Sequence, residues 1–129
     1  MLIFDIETDG LLDDTTRIHC IAIHDMVTGQ TIGYGAGDVE KGVNRLRVAL
    51  RQGREIAGHN IIAFDLPALS KVYPDFIVSR EQREQIIDTL VLSRLIYSSL
   101  DTIDLGLMRS DRLPRRLYKS HSLRAWGYR

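Results

Sequence analysis

Cysteine is almost absent from this chain. Cys20 stands alone, so no intrachain disulfide can form, and a reducing compartment is the natural setting. Within the alternation His19-Cys20-Ile21-Ala22-Ile23 it reads as a small core residue rather than a catalytic thiol. No stretch approaches ~18 apolar residues, which leaves no candidate membrane helix. The start Met1-Leu2-Ile3-Phe4-Asp5 has neither the basic flank nor the cleavage site of a signal peptide, so no export is expected. A cytoplasmic location follows as the expectation. An excess of one charge is also lacking: 17 basic and 17 acidic side chains cancel. A protein that holds nucleic acid by charge alone is usually more basic, so any such contact should be local, or helped by metal ions or an attached domain. No Cys/His cluster suggests zinc. Internal repeats, low-complexity tracts and domain-scale linkers are absent, and 1–129 is expected to form a single, partial domain.

The residues that are present alternate between strand and helix signals. Residues 2–7 form a short apolar run closed by Asp9-Gly10, and read as a central strand with apolar residues on both faces. Residues 18–25 and 30–34 read as a hairpin around Thr28-Gly29. Asp38 is placed as an N-cap before Val39, Val43, Leu46 and Leu50, which recur at helical spacing up to Gly53. Glu55 to Gly58 is a short strand, and Asp65-Leu66-Pro67 opens a helix that stops before Pro74. Ile86-Ile87 is a brief strand, with Asp88 capping a helix from Thr89 to about Ser99. Residues 101–119 show no clear periodicity, and Ser120 caps a last short helix, 121–126, ended by Gly127. The order β-β-β-α-β-α-β-α points to an α/β fold with a mixed sheet: a meander, then alternating units with flanking helices.

Chemistry concentrates in two places. Asp5 and Glu7 are two apart on a strand and so share a face. Two carboxylates there repel one another, and a hard divalent cation is the simplest remedy. A solvent-facing edge pair fits the triplet equally well. Asp65 reads either as a plain N-cap or as a third acid of the same site. Asp88 sits at a strand–helix junction and reads as a cap. Asp9, Asp13 and Asp14 read as solvated turn residues. His19 and His24 read as sheet residues, and His121 as a packing or capping residue. Trp126 reads as a core anchor. The stretch holding Arg109, Arg112, Arg115, Arg116 and Lys119 reads as a solvated loop, or as a contact for a DNA backbone or a following domain.

The first cluster continues as Asp5-Ile-Glu-Thr-Asp-Gly-Leu11, and the second is His59-Asn60-Ile-Ile-Ala-Phe64-Asp65. Together they resemble the first two motifs of the DnaQ-like (DEDD) 3′–5′ exonucleases. The segment from Asp88 to Ile96, the stretch Gly106-Leu-Met-Arg-Ser and the closing run Ser120 to Arg129 are similar to the N-terminal exonuclease domain of phage T7-type family A DNA polymerases. The likeness spans essentially the whole chain. It implies an RNase H-like fold and a two-metal site using Mg²⁺ or Mn²⁺, with Asp5, Glu7 and Asp65 as catalytic metal ligands. It matches Leu11 to a position that wedges against the terminal base and Asn60 and Phe64 to positions beside the terminal nucleotide, and it implies DNA with a single-stranded or frayed 3′ end as the partner. Thr8 and His59, next to the two motifs, are further substrate-binding candidates.

The family's third motif, Tyr-x-x-x-Asp or His-x-x-x-x-Asp, has no counterpart: Tyr118 is followed four later by Ser122, and His121 five later by Trp126. The expectation is a fragment, split product or truncated form, weakly active or inactive alone. It would work beside a polymerase domain or a chain supplying the absent segment, in a host cytoplasm if phage-encoded. An inactive nucleic-acid-binding or structural remnant, and an RNA-directed exonuclease of the same fold, remain alternatives.

Overall fold

A computed structural model describes all residues, 1–129. The chain forms two compact units, Met1–Asp88 and Thr89–Arg129.

The first unit is built on a five-stranded sheet. Its strands are β1 (Leu2–Thr8), β2 (Ile18–Asp25), β3 (Gln30–Tyr34), β4 (Ile56–Gly58) and β5 (Ile86–Asp88), in the spatial order β3-β2-β1-β4-β5. β1 to β3 form the antiparallel meander, and β4 and β5 run parallel to β1. β1 is central, as its sequence suggests. Only one of its faces is covered, however. Leu2, Phe4 and Ile6 are buried, whereas Ile3, Asp5 and Glu7 are exposed. The expectation of a strand apolar on both faces is therefore corrected: the second face joins Ile3 to the carboxylates Asp5 and Glu7 and is exposed.

Helices α1 (Val39–Arg51) and α2 (Asp65–Val72) contribute to the core of this unit. Val43, Leu46 and Leu50 of α1 and Leu69 of α2 join Leu2, Phe4, Ile21, Ile23 and Ile56 in one apolar cluster. Each such side chain removed from water contributes on the order of 1.5–3 kcal/mol before entropy is set against it. Gly42 lets α1 lie against the sheet, because a Cβ there would collide with Ile21 and sit 2.9 Å from the Tyr34 ring. Asp38 precedes α1 but does not cap it with its side chain; it pairs with Lys41 instead. Gly53 follows the helix with φ +73, the left-handed turn that glycine adopts freely. Cys20 departs from its expected core place. It is half-buried and stands opposite Glu7 in the β1–β2 register. A 3₁₀ segment at Glu81–Gln85, not foreseen from the sequence, leads into β5.

The second unit contains α3 (Thr89–Ile96), α4 (Asp101–Arg109) and α5 (Leu123–Trp126), with a 3₁₀ turn at Arg115–Leu117. The irregular reading of 101–119 is corrected by α4. Its apolar stripe Leu100, Ile103, Leu107 is interrupted by Asp104, which is fully buried because Arg129 pairs with it at 2.7 Å. The last helix starts two residues later than expected. Ser122, not Ser120, caps it, accepting from the Ala125 N–H at 3.3 Å. Leu113, Leu117 and Ala125 form a small core of their own. Trp126 is half-buried, with Tyr97 at 4.9 Å on its ring and the Arg129 guanidinium 4.9 Å from it. His121 packs, as expected, accepting or donating at Ser93 Oγ at 3.0 Å.

Candidate active site

The three parallel strands β1, β4 and β5 end at the same edge of the sheet. The carboxyl ends of such strands are where open α/β sheets place their ligand-binding groups. Asp5 and Glu7 lie near the end of β1, the 59–64 loop follows β4, and Asp88 is the last residue of β5. Local sequence makes this possible. Gly58 brings β4 and its loop close, since a Cβ there would stand 2.7 Å from the Phe4 carbonyl oxygen and collide with Ile61. Ile61 is fully buried, and this pins the middle of the second motif to the core.

Asp5 and Glu7 share the exposed face, as period-two spacing requires. Asp65 opens α2 and is buried. Its Oδ1 accepts from the backbone N–H of Ile6, the residue between the two β1 carboxylates, at 3.3 Å. The two motifs, 59 residues apart in sequence, thus meet through one hydrogen bond. Burial, then the charge of Asp5, then that of Asp88, push the Asp65 carboxyl up to about 6, against the Ile6 N–H. Asp5 is also raised, first by the protein packed beside it and then by Glu7, with His59 and the Ile6 N–H opposing. The site therefore concentrates more negative charge than its surroundings neutralise.

Asp88 ends β5 directly before α3 and has a task of its own. Its two carboxylate oxygens accept from the N–H groups of Asn60 and Ile62, both at 2.9 Å. Asn60 adopts φ +66, a left-handed conformation that asparagine tolerates better than most residues. Asp88 holds the second motif in that shape. Sequence reasoning missed this role, because the pairing spans 26 to 28 residues and leaves no local signature.

The remaining candidate residues divide. His59 is half-buried and close enough to Asp5 to act on its charge. Phe64 is partly buried and packs on the apolar core. The Thr8 hydroxyl is engaged within its loop, donating to the Gly10 carbonyl at 2.7 Å. Leu11 is 77% exposed. Its loop is nevertheless tied down. Buried Thr15 donates to the carbonyls of Gly10 and Leu11, and the Asp9 carboxylate accepts from the N–H groups of Thr16 and Arg17 at 2.9 and 3.0 Å. Asp9 is thus an exposed turn residue, as expected, that also clasps the loop and is held well below the usual carboxylate range chiefly by the Thr16 hydroxyl.

The donor chemistry suits a hard divalent cation: carboxylate oxygens, mutual repulsion and open sides. The side chains do not close into a shell, since no group of three His, Cys, Asp or Glu stands at metal-holding distances.

A mixed sheet with this strand order, helices packed on it and acids gathered at its central strands defines an RNase H-like α/β domain. The chain belongs to the RNase_H superfamily, whose family model matches residues 2–112. It is 43% identical over 132 aligned residues to the DNA-directed DNA polymerase of Enterobacteria phage T3, and 42% identical over the same length to that of Escherichia phage T7. Both alignments cover all of this chain and 19% of the polymerase, so the chain spans about a fifth of those relatives.

Proposed function

We propose that the site is that of a metal-dependent 3′–5′ exonuclease acting on DNA, of the proofreading kind, working beside a polymerase domain in the cytoplasm of a phage host. The observation that carries this reading is the Asp65–Ile6 hydrogen bond, which holds Asp65 at the strand that bears Asp5 and Glu7, with Asp65 pushed up to about 6. Two phage DNA polymerases similar along the whole chain support DNA as the substrate. In this reading Asp5, Glu7 and Asp65 hold Mg²⁺ or Mn²⁺. The cations would supply water activation and charge stabilisation at the leaving 3′ oxygen. The chain's own residues would hold the strand end. Asn60, set in its left-handed conformation by Asp88, and Phe64 flank the terminal nucleotide, with His59 beside Asp5 and Thr8 and Leu11 on the opposite loop. A frayed or single-stranded end suits such a site, because the terminal base must leave its stack.

One observation favours a second reading, a nucleic-acid-binding module without turnover: the carboxylates do not close into a metal shell. Calorimetry with Mn²⁺ separates the two. Binding by the wild type that is lost in Asp5→Ala supports the nuclease. Absence of Mn²⁺ binding refutes it. Mg²⁺-dependent release of mononucleotides from a 3′-labelled DNA strand, compared with RNA, then reads activity and substrate. With no Tyr-x-x-x-Asp in the chain, the 129 residues alone should turn over slowly.

A further inference from the structure

The neutral total conceals a separation of charge. Residues 89–129 hold eight of the seventeen basic side chains and three of the seventeen acidic ones, a balance of +5, against −5 over residues 1–88. Pairing inside the second unit sharpens the imbalance. Asp101 takes Lys119 and Asp104 takes Arg129, so only Asp111 remains against six arginines. All six, Arg94, Arg109, Arg112, Arg115, Arg116 and Arg124, are exposed. Clustering like charges costs self-repulsion and suits a polyanionic partner.

Four of these arginines fall between 109 and 116, and the backbone there is held in place. The chain turns at Asp111 with φ +53, and the Arg112 N–H returns to the Leu107 carbonyl at 2.9 Å. Leu113 and Leu117 are buried while Arg112, Arg115 and Arg116 face solvent, so apolar anchors alternate with cations. Arg109 and Arg115 line one cleft of about 380 Å³, together with Leu105, Met108, Leu113 and Pro114. Asp111 also lines it, one negative charge against those two positive ones. Guanidinium groups around an apolar floor match phosphates joined to sugars and base faces, which an acidic peptide lacks.

We propose that the 109–116 segment, with Arg109 and Arg115 lining this cleft and Arg112 and Arg116 exposed on the same segment, seats the phosphate backbone of a single-stranded nucleic acid. The seat is independent of the acidic site and needs no metal. The test is fluorescence anisotropy of the 129-residue chain with labelled oligothymidylate in EDTA, over a salt series. The triple variant R109Q/R115Q/R116Q should lose tenfold or more in affinity. Its log K against log salt slope should flatten by about two, at about 0.7 for each phosphate the variant no longer neutralises. R109K/R115K/R116K should recover much of the binding, and its failure to do so while folded overturns the proposal. R51Q/R80Q/R83Q removes the same charge from the first unit and should bind as the wild type does. Equal losses in the two Gln triples overturn the proposal, as does unchanged binding in the first. Tighter binding of oligoglutamate than of oligothymidylate at the same salt also overturns it. Because the titration is free of metal, its outcome is separate from the Mn²⁺ measurement on Asp5→Ala.

Discussion

The Ile6 N–H donates to Asp65 Oδ1 at 3.3 Å, and through it the carboxylate opening α2 is held at the strand that bears Asp5 and Glu7. Asp65→Asn keeps an acceptor for that N–H and removes the charge. Raising the carboxyl from 3.8 to about 6 corresponds to roughly 2–3 kcal/mol of ionisation cost near neutral pH. In EDTA, Asp65→Asn should therefore unfold at higher urea than the wild type, while Mn²⁺ no longer stabilises it. A variant less stable than wild type in EDTA would show that Asp65 is not a strained charge.

Asp88 should behave as a positioning residue. Asp88→Ala strips the Asn60 and Ile62 N–H groups of their acceptor. A hydrogen bond to a charged group is worth about 1.5–3 kcal/mol, so a loss on the order of 2–4 kcal/mol is expected in urea unfolding. Asp88→Asn retains one acceptor oxygen and should recover about half. Amide exchange should rise at 60–64 in the alanine variant. Full protection there would refute the role.

Much of this was legible in the sequence, for local reasons. β1 to β3 and α1 show their periods openly, and period two alone places Asp5 and Glu7 together. Asn60, Phe64 and Asp65 came from a motif. What escaped notice depends on distant partners. α4 was hidden because buried Asp104 breaks its apolar stripe, and its partner Arg129 lies 25 residues away. The Asp88 cradle and the exposed Ile3–Asp5–Glu7 face likewise depend on which elements pack where. Cys20 sits in an apolar alternation, yet its strand face is left half-open.

Gly58 lies where β4 meets the site. Gly58→Ala would press a Cβ onto the Phe4 carbonyl oxygen, 2.7 Å away, and into Ile61. Neither neighbour can yield freely, one being backbone and the other fully buried. Overpacking of this kind costs about 1–3 kcal/mol or more. Thermal unfolding should show a clearly lower midpoint, with weaker Mn²⁺ binding in whatever remains folded. A wild-type midpoint would mean that β4 has room to shift.

Acid should unfold the first unit partly through Asp25. Its carboxylate accepts from Arg54 at 2.8 Å, the Val27 N–H at 3.0 Å and Arg45 at 3.5 Å, and the Arg54 bond above all lowers it to about 2. The unfolded chain keeps a carboxyl near 3.8, so between those values the unfolded state binds more protons. Stability from this group is therefore present above pH 4 and lost as pH falls toward 2. Arg54→Gln raises the folded-state value and should shift the acid midpoint, followed by circular dichroism, to higher pH. An unmoved midpoint would sink this assignment.

The second unit should depend on the Asp104–Arg129 pair more than its size suggests. Asp104 is fully buried and accepts from Arg129 Nε at 2.7 Å and Nη2 at 2.8 Å, while the Lys119 N–H, at φ +56, donates to it at 2.7 Å. Arg129→Met leaves that carboxylate buried without its cation, a change that costs about 3–5 kcal/mol. Hydrogen exchange should then show opening across 89–129, with protection in 1–88 changed far less. The double variant Asp104→Leu/Arg129→Met removes both charges and should recover part of the protection. Full recovery is not expected, because the Lys119 N–H loses its acceptor, at about 1–3 kcal/mol. A single variant as protected as the wild type would show that the pair adds nothing to the fold.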